Sequence, residues 1–274
     1  MLPAFLIMLR EGLEAALITS IIAGYLARTG RAKAMGGIWL GVILAVLVSL
    51  AAGLGLHQWA DEFPEDQYAL FEGLVSLVAA ALLITMVFWM RRAARSLRSD
   101  LHAAVDRTLA GTATFWPLVT LAFLAVVREG LESAFFLLAL VQQAGTGLAL
   151  LGAALGLALA VVLGLALYRG SLALDLRAFF RWTGAFIVVV AAGLVGTAVH
   201  EFAELGLWTF LPQPAYDLRA VLPRDGLPGS ILSGLIGYRD HGSLGEMLVY
   251  LGFLATALTL YFWPHPQLPA RSTS

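Results

Sequence analysis

Residues 8–18 read MLREGLEAALI and residues 126–136 read VVREGLESAFF, so Arg-Glu-Gly-Leu-Glu occurs twice in one chain, each time inside an apolar stretch. Beyond the second copy, residues 133–168 contain no Asp, Glu, Lys or Arg, and the same holds for 34–60, 73–90, 108–127 and 182–200. A helix needs about 20 apolar residues to cross a hydrocarbon core roughly 30 Å thick. Of the 274 residues, 60% are hydrophobic and only 13% charged, where a soluble domain carries about 25% charged residues. The sequence is therefore that of an all-α, polytopic membrane protein.

Apolar windows predict seven transmembrane helices, near 3–26, 36–58, 69–90, 115–141, 147–168, 182–204 and 244–263. Trp39, Trp59, Trp89, Trp116, Trp182 and Trp263 fall at or near their ends, where indole favours the headgroup level. The loops after spans 1, 3 and 5 and the tail hold Arg28, Arg31, Lys33, Arg91, Arg92, Arg95, Arg98, Arg107, Arg169, Arg177, Arg181 and Arg271. The other side has Arg219, Arg224 and Arg239, all in one loop. Positive charge stays inside, which predicts an outer N-terminus and a cytoplasmic C-terminus. The first segment lacks the basic n-region of a cleavable signal peptide and carries charge where an h-region would be apolar.

The second pentad lies three spans after the first, an odd offset, so span 1 runs inward and span 4 outward. That is the signature of an inverted-topology repeat. The expected layout is one transmembrane domain over 1–274: repeat 1 at about 1–107, repeat 2 at about 108–204, an outer loop at about 205–243 and a seventh helix at about 244–263.

Within each pentad the glutamates stand at i and i+3, on one helix face. Arg10 precedes Glu14, and Arg128 precedes Glu132, by four residues, which allows intrahelical ion pairs. Gly12 and Gly130 leave room for a neighbouring helix or an ion. Charged side chains at mid-bilayer cost about 2.5–3.5 kcal/mol each on insertion scales, so these must be paired, hydrated or bound. Four carboxylates (Glu11, Glu14, Glu129, Glu132) against two guanidinium groups leave an excess of two negative charges. A cation resolves this, and carboxylate oxygens suit hard ions such as Mg²⁺, Ca²⁺, Mn²⁺ or ferric iron. The competing reading is a structural Arg–Glu clamp between spans 1 and 4.

Two RExxE motifs on the first and fourth of seven helices resemble the oxidase-dependent iron permeases, which include the fungal high-affinity iron permease and bacterial EfeU-type transporters. The resemblance extends to Phe71-Glu72-Gly73, to His200-Glu201 with Glu204, and to Leu235-Ile236-Gly237-Tyr238, and so covers essentially the whole chain. It implies inward iron transport across the plasma membrane, with Glu11, Glu14, Glu129 and Glu132 handling the metal. Iron is then substrate and not a permanently bound cofactor. The resemblance also implies an extracytoplasmic partner that oxidises or delivers iron. A homo-oligomer is compatible with it.

Glu72, His200, Glu201, Glu204 and Glu246 are secondary pathway candidates. As an outer collection site they would pass ions inward; alternatively they are interfacial groups solvated by water and headgroups. Asp61, Glu62, Glu65 and Asp66 would attract cations electrostatically or form a solvated loop face. His102 and Asp106 share i, i+4 spacing in a cytoplasmic loop, and His57, His241 and His265 have no partner spacing.

Several function classes are excluded or disfavoured. The net charge of −1 and the scattered basic residues give no nucleic-acid surface. Cysteine is absent, so there is no thiolate metal site. No phosphate-binding GxxxxGK[ST] loop occurs. An intramembrane hydrolase using paired carboxylates lacks HExxH and GxSxG motifs. The remaining alternatives are a carrier of manganese or calcium and a non-transporting iron sensor.

Overall fold

Helix α1 (Leu2–Arg28) carries Pro3 in its first turn, where the missing N–H would have had no intrahelical acceptor anyway. The computed structural model describes residues 1–30, 34–61, 64–93, 103, 105–107, 115–169, 175–224 and 226–263. After α1 come α2 (Met35–Asp61), α3 (Glu65–Ala93), α4 (Phe115–Ala144), α5 (Thr146–Tyr168) and α6 (Leu176–Glu204). Strand β1 (Pro214–Asp217), helix α7 (Leu227–Ile236), strand β2 (His241–Ser243) and helix α8 (Leu244–Phe262) complete the order.

The seven expected apolar segments coincide with α1–α6 and α8 to within a few residues. Among the described residues, α2, α3, α5, α6 and α8 are long and apolar enough to cross a membrane. Helices α1 and α4 are as long, at 27 and 30 residues, and hold the two charged pentads. The outward faces of α2 and α5 are apolar: Ile43, Leu47, Leu50, Leu54, Leu151, Leu155 and Val162 are all exposed. Such faces call for lipid or another apolar surface against them.

The segment between α6 and α8 departs from the all-α expectation. Strands β1 and β2 pair antiparallel, Tyr216 opposite Gly242 and Asp217 opposite His241. Helix α7 ends at Gly237, whose left-handed backbone (φ 67°) closes the last turn. Asp175 caps α6 by accepting from the Ala178 N–H at 3.1 Å. At the start of α8, Ser243 accepts from the Glu246 N–H and donates to Glu246 Oε1 at 2.9 Å, a form of capping box.

Partner choice among the long helices skips sequence neighbours. Helix α1 packs mainly along α5, α2 mainly along α4, and α3 mainly along α6, while α1 also meets α4. Both of the first two pairs run parallel: Gly12 and Gly164 face Ala160 and Ala16, and Gly41 and Gly53 face Val119 and Ala134. The buried centre joins Leu83 of α3, Phe136 of α4 and Ile187 and Leu194 of α6. Helix α8 lies antiparallel beside α6, with the Tyr261 hydroxyl donating to the Arg181 carbonyl at 2.9 Å and Glu246 meeting His200 at the other end.

The motif glycines are filled by neighbouring helices. A Cβ on Gly12 would lie 2.6 Å from Ala160 Cβ, and one on Gly130 would lie 2.1 Å from Ser49 Oγ. Ser49 has little freedom to retreat, because its hydroxyl donates to the Ala45 carbonyl at 2.8 Å. Gly130→Val is therefore expected to force α4 from α2 and destabilise the protein by about 1–3 kcal/mol. Thermal unfolding in detergent checks this, and Ser49→Gly should restore part of the loss.

Candidate cation site

Parallel packing of α1 on α5 and of α4 on α2, with α1 crossing α4, brings the two pentads face to face. Oxygens of Glu11, Glu14 and Glu129 all lie within 4.8 Å of one another, and all three side chains are buried. Among the described residues, neither oxygen of Glu11 meets a hydrogen-bond donor unless Glu11 or Glu129 itself carries a proton and the two carboxyls bond each other. Arg10 Nε stands 3.1 Å from Glu14 Oε1, an ion pair whose angle falls short of a hydrogen bond, so that oxygen keeps accepting capacity. Arg10 Nη1 donates to Met86 Sδ at 3.0 Å.

The second copy is arranged differently. Arg128 Nε donates to Glu132 Oε1 at 3.0 Å, and the Arg128 guanidinium lies over the Trp89 ring, 4.6 Å from its centroid. Its side chain is 48% exposed, whereas that of Arg10 is 2% exposed. Glu132 stands outside the close carboxylate group, and its Oε2 is buried without a donor among the described residues. Three of the four candidate glutamates thus converge and the fourth is held beside them. Three close carboxylates with one buried guanidinium are unstable unless a proton or cation joins them. The oxygen-only donor set favours a hard cation.

At the end of the bundle that carries the two-stranded sheet, four of the five secondary candidates separate into two groups, and Glu72 lies near Glu201 and Arg239. Glu201 accepts from Arg239 Nη2 at 3.1 Å, with both side chains largely buried. Burial is the main influence on Arg239 and lowers its pKa, and the neighbouring Arg224 adds to this. The other group centres on His200: Nδ1 lies 3.1 Å from Glu246 Oε2 and Nε2 lies 3.2 Å from Glu204 Oε1. His241 stacks edge-on against His200, centroids 6.0 Å apart, and bonds Asp240 at 2.8 Å. His200, His241 and Glu246 open on a cleft of about 200 Å³ whose rim includes Tyr216, Asp217 and Arg219. Arg219 donates to the Asp217 carboxylate through side chain and backbone, holding its pKa down to about 2.

Spacing misses His241, Arg239, Met86 and Trp89, because each reaches its partner from a different element. Between α3 and α4, Asp106 accepts from the Tyr25 hydroxyl. His102, Glu62 and His265 fall outside the described residues, and the side chains of Asp61, Glu65 and Asp66 are likewise not described. Arg239→Ala is expected to strand the buried Glu201 charge and cost about 3 kcal/mol. The added change Glu201→Gln should recover much of it in the same melting measurement.

Long apolar helices around a buried carboxylate cluster fit a membrane-embedded transporter. Residues 1–263 match the model of the iron permease FTR1 family, and the chain belongs to that family. It is 47% identical over 276 residues to the ferrous iron permease EfeU of Yersinia pestis, covering 100% of this chain and 96% of that protein. Its identity to the ferrous iron permeases EfeU of Shigella sonnei and Escherichia coli O157:H7 is also 47%, over 265 residues and 96% of each chain. No solved structure matches the chain.

Proposed function

We propose that this permease carries iron ions inward across the cytoplasmic membrane, taking them through the carboxylate cluster of Glu11, Glu14 and Glu129 with Glu132 alongside. The observation that carries the reading is the meeting of two copies of one motif at a buried, donor-poor, negatively charged centre. The names of the relatives favour ferrous iron as cargo. Seven spans, α1–α6 and α8, form the membrane domain, with α1–α3 and α4–α6 as an inverted repeat. Exchange of helices between the halves supports this: α1 lies on α5 as α4 lies on α2, and α3 pairs with α6. Basic loop residues orient the end with the two-stranded sheet outward.

The ion is drawn by the membrane potential, worth about 2.3 kcal/mol per charge per 100 mV. Carboxylate oxygens replace its water ligands as it enters the dry centre. Arg10 stays in place and limits the excess negative charge when the site is empty. Glu204, His200 and Glu246 form the outer collection group, and Glu72 stands near Glu201, which is committed to Arg239. An extracytoplasmic partner oxidises or delivers the iron.

Uptake of radioactive iron into proteoliposomes, with unlabelled manganese and calcium as competitors, tests the cargo. Iron should compete at far lower concentration than either. Equal competition by manganese would move the assignment to a general divalent-cation carrier.

A further inference from the structure

Both motif arginines find a second neighbour on the same turn of α3, a helix that contains neither motif. Met86 and Trp89 are three residues apart and share a face. Met86 Sδ accepts from Arg10 Nη1 at 3.0 Å, and the Trp89 ring underlies Arg128 at 4.6 Å. The consequences differ with exposure. Arg10 is sealed in; Arg128, with its side chain 48% exposed, is free to swing on a long stem unless something holds it.

We infer that Trp89 is a positioning residue for cation binding: its indole face parks the Arg128 guanidinium beside Glu132 and away from Glu11, Glu14 and Glu129. This rests on the proposal that those three carboxylates receive the ion. Glu129 directly follows Arg128 in sequence, and the cluster with Arg10 carries a formal excess of two negative charges. A loose guanidinium is drawn to that excess, where it neutralises the oxygens the incoming ion needs. Arg128 is thus a tethered competitor of the transported cation. An aromatic face holds it by cation–π attraction without adding a carboxylate that would itself bind the ion. Met86 does the opposite for Arg10, helping to bury it permanently next to Glu14.

The test compares apparent KM and maximal rate of iron uptake by the full-length protein, at matched membrane levels, for Trp89→Leu, Trp89→Phe, Arg128→Gln, the double change Trp89→Leu with Arg128→Gln, and Glu129→Gln. Trp89→Leu should raise KM about three- to tenfold, and Trp89→Phe should stay near wild type because the ring face remains. In the Arg128→Gln background, Trp89→Leu should add nothing to KM. If Trp89→Leu fails to accumulate, Trp89→Met, larger and without a π face, replaces it with the same expected shift. An unchanged KM, or an equal shift in the Arg128→Gln background, overturns the assignment. If that occurs while Glu129→Gln abolishes uptake, the carboxylate site stands and only the role of Trp89 falls. Wild-type transport by Glu129→Gln removes both.

Discussion

Glu129→Gln is expected to abolish iron uptake while the protein still inserts and folds. Glutamine keeps the shape and hydrogen-bonding capacity of the side chain and removes only its charge. One ion–carboxylate contact at an effective dielectric near 20 is worth about 4 kcal/mol at 4 Å. Its loss therefore lowers affinity by roughly a hundredfold or more. Glu14→Gln and Glu11→Gln should behave alike, since their oxygens lie in the same group. Glu132→Gln should cost less, about tenfold, because Glu132 stands outside that group and is bonded to Arg128. Removing Glu11 or Glu129 also relieves repulsion, so those two variants should melt at or above the wild-type temperature, whereas Glu14→Gln leaves the buried Arg10 without its ion pair and should melt below it. Radioiron uptake and thermal unfolding on the same preparations give both readouts. Wild-type uptake in all four variants would leave the pentads as a structural clamp only.

The second large effect concerns folding. Arg10→Gln should destabilise the protein by about 3–5 kcal/mol, the cost of leaving buried charge without its partner. Glu14 loses its ion pair and the cluster its nearest positive charge. The sequence-equivalent change, Arg128→Gln, removes a half-exposed partner and should cost no more than about 1 kcal/mol. Adding Glu14→Gln to Arg10→Gln should recover a good part of the loss. Melting in detergent at one pH ranks the variants, and equal effects at the two arginines would contradict the asymmetry of the two copies.

That asymmetry marks where sequence reasoning stops. The helices are legible because charge-free apolar runs of membrane length are rare outside a bilayer, and the pentads are legible because they repeat intact. Spacing within a helix likewise anticipates Arg10 with Glu14, Arg128 with Glu132, and His200 with Glu204. Contacts between distant segments have no such period. Arg239 reaches Glu201 across 38 residues, and Arg10 reaches Met86 across 76. Helix α7 reads as loop because LPGSILSGLI carries proline and glycines in only 10 residues. Strands of 4 and 3 residues are too short to show alternation. Identical pentads also give no hint that Glu132 stands apart from the other three, since that depends on which neighbour each helix meets.

The cross-pairing of α1 with α5 and of α2 with α4 bears on how the chain is made. Helix α1 emerges from the ribosome first, yet its main packing surface is not synthesised until residue 146. At roughly 5–20 residues per second, it waits on the order of ten seconds with three charged groups and no permanent neighbour. Helix α2 waits similarly for α4. Neither half can finish before the other, so the bundle closes in one late step instead of assembling hairpin by hairpin. A lesion in the second half then unseats helices of the first that were already in the membrane, and the quality of this protein is decided only once almost all of it exists.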